Sequence, residues 1–229
     1  GEAGFLARRN ELTDDGSLKV HPGDARFVKV TLNMMEGTYV VELINFQEYL
    51  YVAGSGNGWS QNDVISSQAF DGNYKGFMWL GNEFKLCSQQ NWDGLNYGKD
   101  FSTAGDAANM TLPEGIGEGY CMLEASLVDK TITVTPITTI GVIGDATAGG
   151  WDASTPLEYN KDKRCWEGDV TFTSGTFKFR ANDAWAINWG GPTENLTMGG
   201  DNITVEAGTY HVAIYPNCPG KAMCTLEAK

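Results

Sequence analysis

Short segments of the chain alternate apolar and polar side chains, the pattern of a half-buried β-strand. In TFKFR at 176–180 two phenylalanines alternate with a lysine and an arginine, and EFKLC at 83–87 repeats the pattern. A period of two places the aromatic rings on one face of the strand and the charges on the other. We therefore expect the core to contain Phe84, Tyr120, Phe177, Phe179 and Tyr210, while Lys85 and Lys178 reach solvent.

Turn-forming residues separate these segments, and no stretch has helical spacing over a useful length. Clusters such as Asp71-Gly72-Asn73 and Thr173-Ser174-Gly175 recur between the alternating runs. Short strands divided by regular turn signals are typical of antiparallel sandwiches. The pattern predicts an all-β fold of tandem antiparallel β-sandwich modules of the immunoglobulin-like kind.

The chain also contains an internal repeat. Gly58-Trp59 recurs as Gly150-Trp151 at an offset of 92, and Phe84-Lys85 recurs as Phe177-Lys178 at an offset of 93. The aromatic segment 92–98 likewise recurs at 185–190. Self-similarity at a fixed period indicates a duplicated structural unit. We predict two complete modules, 47–137 and 138–229, with the same order of strands.

The first 46 residues match only the end of this unit. Residues 27–44 align with 120–137 at an offset of 93, whereas the Gly-Trp and Phe-Lys segments have no counterpart before them. We therefore interpret residues 1–46 as the tail of a preceding β module. Almost no linker separates the modules, so we expect neighbouring modules to pack as a stiff rod.

Composition and charge exclude several classes of partner. The chain is rich in glycine, with 29 residues, and carries a net charge of −13. Such an acidic surface argues against binding nucleic acid or anionic lipid, since both require clustered lysine and arginine. No apolar run is long enough to span a membrane. The first residues lack the apolar core of a signal peptide, so we expect any export signal or lipid anchor to lie upstream.

Signals for catalysis, cofactors and metals are missing from the sequence. There is no nucleophile elbow and no phosphate-binding loop, and neither His21 nor His211 recurs in the other module. None of the five cysteines forms a CxxC pair, which disfavours a zinc site. We expect no catalytic residue, no cofactor and no metal. Cys218 and Cys224 flank a turn, and they either form a disulfide or remain two thiols.

Repeated aromatic and polar residues are the best functional signal. Flat rings stack on the C–H faces of sugars, while Lys, Arg and Asn donate hydrogen bonds to hydroxyls. Two aromatic rings set at an angle would fit a curved glycan such as a helical α-1,4-glucan. The alternative is that these tryptophans only close the ends of the sandwiches. That alternative is strongest for Trp92 and Trp185, which follow strand ends.

The repeated motifs resemble the SusE/SusF family of surface lipoproteins from Bacteroidetes starch-utilisation systems. They are GDATAGGW at 144–151, TFKFR at 176–180 and WAINWGG at 185–191, matched in the first complete module by AGSGNGW at 53–59, EFKL at 83–86 and WDGLNYG at 92–98. The resemblance covers about 180 residues. It implies tandem non-catalytic β-sandwich modules, similar to starch-binding domains, that hold starch through an aromatic pair and basic residues.

Carried over by position, the resemblance implies one site in each complete module. In module 138–229 the platforms would be Trp151 and Trp189, with Lys178, Arg180 and Asn188 as donors. In module 47–137 the site would use Trp59, Tyr97, Lys85 and Asn96, with Cys87 standing where the other copy has Arg180. Trp92 and Trp185 are secondary candidates. The loss of one donor puts the affinity of module 47–137 in doubt.

The resemblance further implies a place and partners for the protein. We expect a cell-surface, outer-membrane lipoprotein whose anchor lies outside this chain. Its partners would be starch or maltooligosaccharides and other outer-membrane proteins of an uptake system, with no nucleic acid. Two other interpretations stay open: a structural or adhesive immunoglobulin-like array that binds no sugar, and the accessory modules of a glycosidase.

Overall fold

The protein is built almost entirely of β-strands, as a computed structural model that describes residues 27–36 and 38–229 shows. The strands are β1 (Phe27–Asn33), β2 (Thr38–Ile44), β3 (Tyr49–Gly54), β4 (Asp63–Ser66), β5 (Asn73–Leu80), β6 (Glu83–Cys87), β7 (Asn96–Tyr97), β8 (Met110–Thr111), β9 (Gly119–Ser126), β10 (Thr131–Pro136), β11 (Ile140–Ile143), β12 (Thr155–Asn160), β13 (Cys165–Phe172), β14 (Gly175–Ala181), β15 (Asn188–Gly190), β16 (Thr197–Met198), β17 (Ile203–Val205), β18 (Gly208–Tyr215) and β19 (Met223–Ala228). Single 3-10 turns lie at Ser55–Asn57 and Lys99–Phe101. None of the helical segments in the described ranges is long and apolar enough to cross a membrane. The predicted all-β class is confirmed.

Two antiparallel sheets carry most of the chain. The first has the order β10-β9-β5-β4-β3-β6-β7, with β8 also on β6. The second has the order β16-β15-β14-β11-β12-β13-β18-β19, with β17 also on β14. In the opposite direction the first sheet has the order β7-β6-β3-β4-β5-β9-β10, and these strands correspond in turn to β15-β14-β11-β12-β13-β18-β19 of the second sheet. The second sheet has β16 as one additional edge strand. The division into modules at 46/47 and 137/138 stays a prediction.

The two sheets also share a close approach between their first strand and the strand that carries the Phe-Lys motif. A Cβ atom on Gly54 would lie 2.5 Å from the carbonyl oxygen of Glu83, and one on Gly144 would collide with that of Thr176. Because a side chain cannot fit at either crossing, glycine is required where each first strand passes into the Gly-Trp turn.

Strands β1 and β2 form a separate ribbon. Their register runs from Phe27 opposite Ile44 to Asn33 opposite Thr38. At the offset of 93, the latter pair corresponds to Ser126 opposite Thr131 in the β9–β10 pair. The ribbon therefore has the register of a module's last hairpin. The interpretation as a module tail stays a prediction, and residues 1–26 of that tail lie outside the described residues.

Aromatic rings join the two sheets into one core. Phe77 of β5 packs edge-on against Trp189 of β15 with 5.0 Å between ring centroids. Tyr120 of β9 packs edge-on against Trp166 of β13 at 5.4 Å. Edge-to-face pairs add stabilisation beyond their buried area. The second sheet thus buries its apolar face partly against residues of the first, while a second cluster fills the interior of the first sheet.

The predicted strand faces are largely as the alternation indicates. Phe84, Phe177 and Phe179 are fully buried and Tyr120 is buried, whereas Tyr210 is only half-buried. Lys85 and Lys178 are both half-buried. All five cysteines are buried free thiols, so Cys218 and Cys224 are not joined. Burial raises the pKa of the Cys224 thiol to about 12.

A charged cluster covers the outer face where β13, β18 and β19 meet. His211 is 2.9 Å from the carboxylate of Asp169 through Nδ1 and 3.3 Å from that of Glu167 through Nε2. Glu227 lies opposite His211 on β19. Hydrogen bonds to Asp169 and Glu167 raise the pKa of His211. Hydrogen bonds from Lys163 and Asn160 lower the pKa of Glu167 to about 2.

This cluster predicts that the stabilisation by protonated His211 persists to a higher pH than the usual histidine pKa and is then lost. The imidazolium stabilises the fold fully below the unfolded-state pKa of about 6.5, and this contribution is lost as pH rises through the raised folded-state pKa. The difference in unfolding free energy between the parent and His211→Gln should therefore shrink from pH 5.5 to pH 9. Urea denaturation at each pH measures it, over a range in which Glu167 stays ionised. A difference that is constant across this range would contradict the assignment.

Candidate functional site

Trp151 lies at the end of a turn that leaves β11. Inside the turn, the Gly144 amide donates to the Gly150 carbonyl at 3.1 Å. The Asp145 carboxylate anchors the turn to β14, because it accepts from the amide and the hydroxyl of Thr176 at 2.8 and 2.6 Å. Gly150 has φ +55°, a conformation that glycine adopts without strain. This rigid turn leaves the indole of Trp151 38% exposed.

Trp185 lies on the loop between β14 and β15. The loop is closed by the Ala181 amide, which donates to the Ile187 carbonyl at 2.9 Å. Asn188, the first residue of β15, also stabilises the loop, because its Nδ2 donates to the carbonyl of Trp185 at 2.7 Å. The indole of Trp185 is 47% exposed.

The two indoles form an exposed pair at one end of the second sheet. Their ring centroids are 6.1 Å apart, and their planes are inclined by 37°. Both rings keep a large part of their area in solvent. The pair is therefore a bent aromatic surface, to which a ligand with two differently oriented apolar faces can bind.

Arg180 connects the two loops beneath this pair. Its Nε donates to the Ser154 hydroxyl, three residues after Trp151, at 2.8 Å. Its guanidinium carbon is 5.2 Å from the ring centroid of Trp185, within cation–π range. Nη2 is 3.8 Å from the carboxylate of Asp183 on the same loop. Arg180 is only 7% exposed and already makes these contacts within the protein, so its predicted role as a donor to ligand hydroxyls stays a prediction.

Lys178 is the cation that remains available on this face of β14. It lies two residues before Arg180, so both side chains leave the strand on the same side. Burial lowers the pKa of its ammonium, and the charge of Asp201 partly opposes this shift. The ammonium makes no hydrogen bond to another residue of the described chain.

Trp189 does not form a stacking platform, contrary to the prediction from sequence. It is 1% exposed and lines a cavity of about 360 Å³ between the two sheets. The reason is register: Trp189 lies opposite Phe179 on β14, and side chains directly opposite each other share a face. Phe179 faces the core, so Trp189 must do so too. Trp185, a secondary candidate, takes its place in the exposed pair.

Asn188 and Asn96 hold loops, where the sequence predicted donors to a ligand. Nδ2 of Asn96 donates to the carbonyl of Trp92 at 2.9 Å, as that of Asn188 does to Trp185. The Oδ1 atoms of both are buried and have no hydrogen-bond partner among the described residues. The two copies therefore conserve a way of fixing the tryptophan loop.

The corresponding end of the first sheet has an exposed tryptophan but not the other features of the second-sheet site. Trp92 is 46% exposed, but no ring contact joins it to the half-buried Trp59 within the described ranges. Tyr97 packs partly buried against the core of this sheet. The ammonium of Lys85 donates to the carbonyl of Ala107 at 2.8 Å. Cys87, fully buried in the position of Arg180, supplies no cation beneath Trp92.

Sequence reasoning missed two residues of the candidate site, Ser154 and Asp183. Neither is part of the repeated motifs, and each acts through the side chain of Arg180. The only available signal was their proximity along the chain to Trp151 and Trp185. No cluster of three or more His, Cys, Asp or Glu side chains in the described ranges is arranged to hold a metal ion.

The different settings of Trp189 and Trp185 predict different mutational costs. Trp189→Ala should reduce the free energy of unfolding by about 3–5 kcal/mol, because it leaves a cavity between the sheets. Trp185→Ala should cost less, about 1 kcal/mol, since the residue is already 47% exposed in the folded protein. Guanidinium denaturation of both variants measures the contrast. Equal losses would show that Trp185 is a core residue.

Comparisons with known proteins leave the site to be interpreted from its own geometry. The sequence matches no model of a known protein family and no curated protein.

Proposed function

We propose that the protein binds starch or a related α-glucan without catalysis, through the Trp151–Trp185 pair. The observation that carries this proposal is the pair itself, two half-exposed indoles inclined by 37° at 6.1 Å. Consecutive sugar units of a curved glucan present their C–H faces at an angle to one another. Each ring can then stack on one unit, with a large contact area and little loss of side-chain entropy.

Polar groups around the pair suit a neutral polyhydroxyl ligand. Lys178 can donate to a hydroxyl, while Arg180 lies against the Trp185 ring and bonds to Ser154, just after Trp151 in the chain. The net charge of −13 disfavours anionic polysaccharides, which would be repelled by the surface as a whole. An uncharged glycan has no such penalty.

We propose that the second sheet carries the main site. In the first sheet Cys87 replaces Arg180, Lys85 is bound to a backbone carbonyl, and Trp92 has no ring partner in the described part of the chain. A single exposed indole offers one stacking contact where the other site offers two. Binding by the first sheet should therefore be weaker.

The resemblance to the SusE/SusF family supports a location for this activity. We propose that the protein acts at the cell surface as an outer-membrane lipoprotein. There it would retain starch or maltooligosaccharides for other outer-membrane proteins of an uptake system. The repeated tryptophan motifs at 53–59 and 144–151 support this proposal.

Alanine substitutions at the ring pair test the proposal. Trp151→Ala and Trp185→Ala should each weaken binding to maltoheptaose by about 2 kcal/mol, or about thirtyfold, because each removes one stacking contact. Lys178→Ala should cost about 1 kcal/mol, since water replaces part of its hydrogen bond. Isothermal titration measures these affinities, and affinity electrophoresis in amylopectin extends the test to polymer.

Trp92→Ala is the matched control. Trp92 is exposed to nearly the same extent as Trp185, 46% against 47%, but no other ring in residues 27–36 and 38–229 is paired with it. Its loss should change affinity little, and neutral-glycan binding should not depend on salt. If the parent binds no α-glucan, the proposal is wrong. Release of reducing sugar from starch would instead identify an enzyme.

A further inference from the structure

We propose that Asn182 is a positioning residue that couples the segment between the two sheets to the loop of Trp185. The inference rests on the proposed function only where it concerns ligand affinity. Its structural part concerns how residues 136–139, which connect β10 to β11, hold the exposed indole in place.

The side chain of Asn182 bonds to this connecting segment through both its amide oxygen and its amide nitrogen. Its Oδ1 accepts from the Thr138 amide at 2.8 Å, the Thr138 hydroxyl at 3.2 Å and the Thr139 amide at 3.4 Å. Its Nδ2 donates to the carbonyl of Pro136 at 2.9 Å. The Asn182 amide also donates to the Thr139 carbonyl at 2.9 Å. Asn182 therefore bonds to three residues of the connection, Pro136, Thr138 and Thr139.

The same residue starts the turn that leads to Trp185. Asn182 and Asp183 have φ of +53° and +49°, so two consecutive residues other than glycine are left-handed. Asparagine and aspartate tolerate this conformation better than most residues, but it still costs free energy. The bonds to the connecting segment offset that cost. They also place Asp183 where its carboxylate is 3.8 Å from Arg180, the residue beneath the Trp185 ring.

The connecting segment is itself fixed to the first sheet. Ile137 is buried in the core shared by both sheets, and its amide donates to the carbonyl of Tyr120 at 2.9 Å. Tyr120 is one of the aromatic residues that join the sheets. A continuous set of contacts therefore runs from the first sheet, through residues 136–139 and Asn182, to the exposed ring pair.

The first sheet makes an equivalent connection with different residues. Gln47 lies in the segment before β3, and its Nε2 donates to the carbonyl of Ser88 at 2.6 Å. Ser88 follows β6 and holds the Trp92 loop, because its hydroxyl accepts from the Leu95 amide at 2.8 Å. In the first sheet the donor, Gln47, lies in the connecting segment, whereas in the second sheet the donor, Asn182, lies in the tryptophan loop. In both sheets a side-chain amide links the connecting segment to the tryptophan loop. Its presence in both sheets argues against a chance contact at Asn182.

This arrangement predicts reciprocal coupling between the ring pair and the connecting segment. If the bonds of Asn182 hold Trp185 in its binding position, then a ligand that favours this position must also protect the bonds. Ligand binding should therefore slow hydrogen exchange at the Thr138 and Thr139 amides. Neither amide is in the exposed pair.

Hydrogen exchange with and without ligand tests the coupling, using Asn182→Gly. Glycine adopts the left-handed backbone without strain but also adds backbone freedom, so it is compared with Asn182→Asp, which keeps the Cβ atom. Exchange should accelerate at Ala181 and Ala184, whose amides close the Trp185 loop but do not touch the Asn182 side chain. Affinity for maltoheptaose should fall about tenfold.

Two further variants keep the test decisive. Asn217→Gly is the matched control, because Asn217 also has a positive φ of +40° and a side-chain bond to a backbone carbonyl. It should leave the Trp185 loop unchanged. Asn182→Asp retains the acceptor and loses the donor to Pro136, so a smaller effect is expected and folding is less at risk.

The outcomes separate this inference from the proposed function. Unchanged exchange at Ala181 and Ala184 in Asn182→Gly would overturn the coupling, whether or not the parent binds glucan. If exchange at Ala181 and Ala184 is faster in Asn182→Gly but the parent binds no glucan, the structural coupling is supported and the proposed function is refuted. Faster exchange with unchanged maltoheptaose affinity would overturn the positioning role.

Discussion

The packing of aromatic rings between the two sheets is the constraint on which the rest of the structure depends. Phe77 meets Trp189 edge-on, and Tyr120 meets Trp166 in the same way. Because Trp189 is used in this interface, the strand that carries it turns Asn188 to the opposite face. Asn188 then supports the loop of Trp185. The interior thereby decides which tryptophan of the repeated motif reaches solvent.

A single buried cation distinguishes the two copies of the site. Arg180 contacts both tryptophan loops of the second sheet, through Ser154 on one side and Trp185 on the other. The buried thiol of Cys87 cannot make such contacts, and its pKa is raised by burial to about 11. The Trp92 loop of the first sheet is instead held by the Asn96 amide and the Ser88 hydroxyl. A duplicated fold therefore does not imply a duplicated site.

The exposed rings are held by a scaffold that leaves them little freedom. Glycine turns, amide-to-carbonyl bonds and the guanidinium of Arg180 all act on the two loops. Prior ordering of this kind reduces the entropy lost when a ligand binds. The bonds of Asn182 extend the ordering to the connection between the sheets. Sheet packing and ring placement are thus parts of one structure.

Sequence patterns were sufficient to predict the all-β fold and a strand order common to both sheets. Alternation in 83–87 and 176–180 correctly placed the phenylalanines inside, because a one-residue slip would bury charges. The repeat likewise anticipated a common strand order for both sheets. Strand alternation and the repeated motifs are patterns of residues near one another in the chain, so the sequence alone predicts them.

Only the tertiary structure decided the composition of the candidate site. Trp189 and Trp185 are four residues apart and chemically alike, yet one is buried and the other exposed. The difference arises from pairing with Phe179 and packing against Phe77, which is more than a hundred residues away. Long-range register and contacts between sheets have no local signature, so the sequence identified the tryptophans but could not show which of them faces solvent.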